Sequence, residues 1–282
     1  MERYDTKDSY HAWYEHWHRY HWISTFVKNQ KVADLACGEG YGSALLAQHA
    51  EQVTGVDINA ETIQKASEKY QAFKNLRYIQ SDVLCTPMPD HALDLVVSFE
   101  TLEHLTAHQA LLNEFKRLMK PDGLLVISTP DKTVYSGSEA HNEFHVKELT
   151  QQEFIDLIHS QFKHALFFGQ QLQTGSVLAP LTNRPIKSAT SLYVAQHDEF
   201  NPLFNLQKPT YLIAVASDSN EALLPFKKAG ISHFNDSNNK LFNHYEQQIK
   251  RLLEADQQLK KLETQIELQN QVINQLKARL GL

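Results

Sequence analysis

Short apolar runs alternate with amphipathic stretches from Lys31 to Ser217, and each run is too short for a helix and too continuous for a surface strand. The first, with Val32, Ala33, Leu35 and Ala36, breaks into a turn carrying Gly38, Gly40 and Gly42, after which a helical period begins at Ala44, Leu45 and Leu46. Continued along the chain, the pattern predicts strands over 52–57, 76–80, 93–99, 124–128, 164–169 and 210–217. Helices are predicted over 43–49, 60–73, 108–119 and 151–160, the last opened by a capping box of Thr150 and Glu153. Pro121, Asp122 and Gly123 read as a turn. Strands alternating with helices make an α/β domain with a parallel sheet.

Beyond Leu241 the period changes. With Tyr245 at position a, that series runs Tyr245, Leu252, Leu259, Ile266, Ile273, Leu280, and d runs Leu241, Gln248, Ala255, Leu262, Gln269, Leu276. No Gly or Pro interrupts it. This is the heptad of a coiled coil, with two glutamines at d fixing register, and it predicts a homo-oligomer through residues 241–282, dimer before trimer. The resulting division is an N-terminal helical cap (1–28), an α/β domain (29–234) with an insertion at 170–208 on the substrate side, a hinge (235–240) and the coiled coil.

The Gly turn lies between a strand and a helix N-terminus, where absent side chains let a ligand meet main-chain N–H groups. The dinucleotide spacing G-x-G-x-x-G is imperfect, since Ser43 holds its last position. Asp57 ends the second strand about twenty residues on, where a carboxylate can accept ribose hydroxyls. Together they point to a nucleoside.

These residues resemble the class I S-adenosylmethionine-dependent methyltransferases. The first motif of that family is similar to Asp34–Gly40 (DLACGEG), the second to Asp57 in VTGVDIN, and the third to Asp82 in YIQSDVL; LDLVVSFE and GLLVISTP follow in order. The resemblance implies a Rossmann-like seven-stranded sheet with helices on both faces and S-adenosylmethionine as cofactor. It would be held by Ala36, Gly38, Gly40, Asp57, Ile58, Asp82, Val83 and Phe99. Within the family, YEHWHRY (14–20) resembles a subgroup associated with glycosyltransferases, which places His18, Arg19 or Tyr20 near the methionine carboxylate. An arginine fork suits a carboxylate.

Open α/β sheets bind ligands beyond the carboxyl ends of their strands. Glu100 and His104 follow the fourth strand, and a carboxylate and an imidazole at that spacing can act as base and orienter. Glu103 and His104 can equally open the next helix. In the resembled subgroup an N-x-x-H-V-x-E run directs attention to Asn142 and His145, and His145 is the first choice of general base because imidazole titrates near neutrality. The implied reaction is O-methylation of a sugar hydroxyl in a glycan or surface polysaccharide, with a glycosyltransferase assembly as possible partner. Alternatives are a small-molecule, phenol or quinone-type methyltransferase and a noncatalytic scaffold.

Composition narrows this further. The net charge is −6 with no basic run, and no N-P-P-Y-type signature follows Phe99, so no nucleic-acid partner is expected. Two cysteines, Cys37 and Cys85, cannot build a disulfide framework and fit a reducing compartment. With no apolar leader or span, a cytoplasmic protein is expected. His11, His16, His18 and His21 fall within one predicted helix but point several ways around it, so no metal is expected there or elsewhere.

Overall fold

The computed structural model describes residues 10–135, 144–173, 193–194, 200–201, 206, 208–234 and 240–280. The chain forms two units, Met1–Ser232 and His233–Leu282. Asn142, most of the insertion at 170–208 and the hinge residues 235–239 lie outside the described residues, apart from a small hairpin pairing Tyr193–Val194 with Phe200–Asn201.

The main sheet of the first unit has seven strands: β1 (Lys31–Leu35), β2 (Gln52–Asp57), β3 (Leu76–Gln80), β4 (Leu93–Ser98), β5 (Met119–Pro130), β6 (His164–Gln170) and β7 (Tyr211–Ser217). Their order in the sheet is β3-β2-β1-β4-β5-β7-β6. β1 to β5 pair in parallel, and β7 runs antiparallel to β5 and β6, completing the sheet expected from the sequence. Helices α1 (Tyr10–Ser24), α2 (Tyr41–Ala47), α3 (Ala60–Lys69), α4 (His108–Leu118), α5 (Lys132–Tyr135), α6 (Gln151–His159) and α7 (Leu224–Lys227) accompany it.

Alternate residues of the central strands enter two different cores, as the two-residue period of a strand requires. Val96, Leu125, Ile127 and Ala214 pack with Leu111 and Phe115 of α4 and Phe154 of α6. Leu95, Val97, Val126 and Val215 pack with Ile23 of α1, Leu46 of α2 and Phe226 of α7. Helices therefore cover both faces, which is why these strands read as unbroken apolar runs.

Three sequence expectations are corrected. The helix predicted over 60–73 ends at Lys69, because the chain turns back to β3 with the Asn75 amide holding the carbonyls of Ala47 and Ala50. The helix predicted over 43–49 begins at Tyr41 and ends at Ala47. The strand predicted over 124–128 begins at Met119: Leu93 pairs with Met119 and Leu95 with Leu124, so Pro121, Asp122 and Gly123 bulge out within the strand rather than precede it. The capping box forms as expected, with Thr150 accepting from the Glu153 N–H and the Glu153 carboxylate accepting from the Thr150 N–H.

The second unit carries one helix, α8 (Lys240–Leu280), of 41 residues. Leu252, Leu259, Leu262, Ile266, Ile273 and Leu276 are all exposed along it, each between 47% and 69%. Among the described residues no helix is long and apolar enough to cross a membrane.

Candidate functional site

The strand order reverses direction between β1 and β4, and the loops leaving the carboxyl ends of β1, β2, β4 and β5 surround that switch point. After β1 the backbone takes positive φ at Ala36 (63°), Gly38 (51°) and Gly40 (76°). Ala36 is held there although it has a Cβ, since the Cys37 N–H donates to the Val56 carbonyl at 2.9 Å and the Gly38 N–H to Asp57 Oδ2 at 3.0 Å. A Cβ on Gly38 would meet nothing within 4 Å, so its face is open to a ligand. One on Gly40 would strike the ring of Tyr78, whose hydroxyl donates to the Gly40 carbonyl at 2.7 Å.

Asp34 fixes this loop from below. Fully buried, it accepts from Ser43 Oγ at 2.6 Å and from the Tyr20 hydroxyl at 3.0 Å. Burial pushes its carboxyl up to about 6 despite those two bonds. Tyr20 lies over Gly42, which has no side chain to obstruct it, and packs edge-on against Phe99 at 5.0 Å. Tyr20 and Phe99, both expected at the cofactor, are thus buried partners of the loop and of each other.

Arg19 is 2% exposed, sandwiched near the rings of Tyr211 and Phe99 at 4.7 and 5.7 Å. Its Nη1 donates to Gln170 Oε1 at 2.7 Å, and Nη2 lies 3.6 Å from Glu100 Oε1. Nε and Nη2 find no hydrogen-bond acceptor among the described residues. A buried guanidinium with unfilled donors is costly unless a further anion arrives. The antiparallel pairing that puts Tyr211 opposite both Pro130 and Gln170 carries these side chains to the carboxyl edge of the sheet. Glu15 stands nearby, pushed up to about 7 by burial, with Arg19 opposing the rise.

Glu100 sits at φ 52°, a left-handed position rare for a residue with a long side chain, and Ser128 Oγ donates to its Oε1 at 2.6 Å. This turns its carboxylate toward Ser128 and Arg19. The helical spacing expected of Glu100 and His104 does not exist, because the chain passes through that turn and then a single 3₁₀ turn, Leu102–His104. His104 meets a different set: Nδ1 lies 2.9 Å from the Phe144 carbonyl, Nε2 lies 3.9 Å from Glu103 Oε1, and its ring packs edge-on against His145 at 5.2 Å. His145 Nδ1 lies 2.6 Å from Glu148 Oε1, and Tyr135 stacks on its ring. The Val146 and Lys147 N–H groups both donate to the Glu103 carbonyl, stitching the two segments together. Burial, with Glu100 adding to it, holds the Glu103 carboxyl well above the usual range; burial lowers His104.

The remaining expected residues lie around the crevice. Asp57 is 2% exposed and also accepts the Asn59 N–H at 2.9 Å. Ile58 is exposed beside it, Asp82 is exposed and accepts the Leu84 N–H, and Val83 is buried in the core. Glu103, Gln170, Tyr211 and Glu148 were not singled out by the sequence as site residues. Only Glu148 carried a local signal, three residues beyond His145 in the same run.

Residues 33–127 match the family profile described as "Methyltransferase domain". The stretch so matched is the Gly loop, the Asp57 strand end and the β4 and β5 edges. Over that stretch the chain is similar to methyltransferase domains. A Mycobacterium tuberculosis protein named "Probable S-adenosylmethionine-dependent methyltransferase" is 33% identical over 129 residues, 45% of this chain and 46% of that protein. Trans-aconitate 2-methyltransferase of Escherichia coli is 33% identical over 102 residues, 36% of this chain and 39% of that one. The chain thus aligns with about half the length, or less, of these curated relatives. Two solved structures show the same fold. The YcgJ protein of Bacillus subtilis gives a TM-score of 0.51 at 16% identity, covering 73% of this chain and 100% of that one. A chain of the complex between the Haloferax volcanii Trm112 methyltransferase activator and a methyltransferase gives 0.53 at 18%, covering 72% and 90%.

Proposed function

We propose that this chain is an S-adenosylmethionine-dependent O-methyltransferase whose acceptor is a sugar hydroxyl of a glycan. Two observations fit the cofactor. The open face of Gly38 beside Asp57 suits a nucleoside, and the unfilled buried donors of Arg19 suit the carboxylate of a methionine moiety. Asp57, Ile58 and Asp82 would hold the nucleoside end and Arg19 the amino-acid end. When bound, the cofactor supplies a methyl carbon made electrophilic by its sulfonium.

The observation that carries oxygen as the acceptor is the imidazole and carboxylate cluster past β4. A hydroxyl must lose its proton during transfer, and a proton acceptor within reach is what that chemistry needs. The Phe144 carbonyl and the Glu148 carboxylate each engage Nδ1 of a histidine, which leaves Nε2 of His104 and His145 as the basic nitrogens. In this reading His145 serves as the base, and alignment of the acceptor with the methyl carbon supplies much of the acceleration.

The test is transfer of isotopically labelled methyl from S-adenosylmethionine to a panel of saccharides, phenols and amines. Label on a saccharide oxygen is expected. Label on phenols alone would move the assignment to a small-molecule enzyme, and label on amines alone would overturn it. Cofactor binding without transfer to any acceptor would favour a scaffold. Free Cys37 and Cys85 support a cytoplasmic setting.

We further propose that α8 pairs with its counterpart in a second copy, through the exposed a and d stripe, before any glycosyltransferase partner is engaged. Ile266→Asp and Leu259→Asp, each placing a charge in that seam, are expected to convert a dimer to a monomer by light scattering. A parent chain that is monomeric at tens of micromolar would sink the proposal.

A further inference from the structure

We propose that Glu103, His104 and His145 form a binding site for a divalent first-row transition ion. One ligand atom from each, a Glu103 carboxylate oxygen and a ring nitrogen of each histidine, lies within 4.8 Å of the other two. The residues come from two segments 41 positions apart, since 145 minus 104 is 41, and the double donation to the Glu103 carbonyl pins them together. Main-chain hydrogen bonds therefore hold the two segments that carry the ligand set together.

The hydrogen bonds select the coordinating atoms. A carbonyl or a carboxylate accepts only, so Nδ1 of His104 donates to the Phe144 carbonyl at 2.9 Å and Nδ1 of His145 donates to Glu148 at 2.6 Å. In neutral rings that tautomer presents the Nε2 lone pair on both histidines. A ring whose second nitrogen donates to a carbonyl or a carboxylate is the arrangement that orients metal-bound imidazoles and raises their basicity. It occurs here twice, on neighbouring rings.

Glu103 supplies the reason for a cation. Its carboxylate is 1% exposed; Oε2 receives the Thr129 hydroxyl at 3.4 Å, and Oε1 stands 3.9 Å from His104 Nε2, too far for a hydrogen bond. Arg19, the nearby guanidinium, makes its closest contacts with Gln170 and Glu100 and favours the Glu103 charge only from a distance. A carboxylate buried with only these partners and its own main-chain N–H either keeps a proton or takes a cation, and an ion within reach of both histidines supplies that cation. Ligands at about 2.1 Å from a common ion stand roughly 3 to 3.5 Å apart, so binding draws the group inward by less than about 1 Å. Two imidazoles and one carboxylate suit manganese, iron, cobalt or zinc; calcium and magnesium prefer all-oxygen sets.

One consequence rests on the O-methylation reading. With an ion present His145 is a ligand rather than the base, and the favoured acceptors offer two neighbouring oxygens, a vicinal diol or a catechol, able to reach the ion's open positions.

The experiment titrates chelator-stripped full-length protein with Mn2+, following the free ion by electron paramagnetic resonance, and with Co2+, following its ligand-sensitive absorption. A single ion per chain is expected. His145→Gln and Glu103→Gln should each weaken binding by about a hundredfold or more, and Glu148→Gln by about 10–100-fold through loss of the orienting bond. Thermal melts verify that each variant is folded; His145→Gln, which leaves no buried carboxylate altered, serves where Glu103→Gln does not fold. No stoichiometric uptake by the parent, or uptake unchanged in folded His145→Gln, overturns the site. Calorimetry with S-adenosylmethionine on the same stripped protein separates the two readings: cofactor binding without metal uptake sinks the metal site alone, and metal uptake without cofactor binding sinks the methyltransferase reading alone.

Discussion

Asp57→Ala is expected to weaken S-adenosylmethionine binding at least a hundredfold in a calorimetric titration. The carboxylate ends β2, where Oδ2 takes the Gly38 N–H and Oδ1 the Asn59 N–H. Each oxygen has a second lone pair for a ribose hydroxyl. The substitution therefore removes charged hydrogen bonds to the ligand, worth about 1.5–3 kcal/mol each, and frees the Gly loop that shapes its seat. Asp57→Asn retains one acceptor for the Gly38 N–H and should lose less, about tenfold. An alanine variant that binds within about threefold of the parent would remove Asp57 from the site.

Arg19→Met is expected to produce the largest loss of stability. The change keeps the apolar stem between Tyr211 and Phe99 but strands Gln170 Oε1 and leaves Glu15, Glu100 and Glu103 without their shared counter-charge. Breaking one side of a buried ion pair costs about 3–5 kcal/mol. In a domain of this size that is a fall in melting temperature of about 10 °C. Its pH dependence has a definite sign. Glu15 is raised to about 7 in the folded chain, so its neutral form is favoured there; its ionisation costs stability as pH rises from the ordinary carboxylate range through about 7, and Arg19 offsets part of that cost. The deficit of Arg19→Met should therefore be smaller near about pH 5 and larger near about pH 8, and Glu15→Gln in the Arg19→Met background should recover part of it. A deficit independent of pH would mean that packing, not charge, is what Arg19 contributes.

Local chemistry alone determined much of this protein. Apolar runs of strand length, the glycines at 38 and 40, the Thr150–Glu153 box and the heptads after Leu241 each depend on residues a few positions apart, so the strands, the loop, the start of α6 and the extent of α8 were legible in the chain. Positions set by contacts across the sheet were not. β5 starts early because it pairs with Leu93, and α3 stops early because Asn75 closes the return to β3.

The site divides the same way. Gly38, Gly40 and Asp57 were readable because the loop and the carboxylate belong to one strand-turn-helix and the strand beside it. The helical spacing expected of Glu100 and His104 does not form, because Glu100 is left-handed, held by Ser128 from the next strand, and a single 3₁₀ turn follows. Arg19 reaches Gln170 and Glu100 only because antiparallel β7 brings Tyr211 and Gln170 to the same edge. His104 and His145 converge on Glu103 only because two N–H groups of a distant loop bond its carbonyl. Sequence spacing encodes neighbours within an element, whereas contacts between elements follow from how buried apolar faces and backbone hydrogen bonds are satisfied together, and that is settled only when the whole sheet has formed.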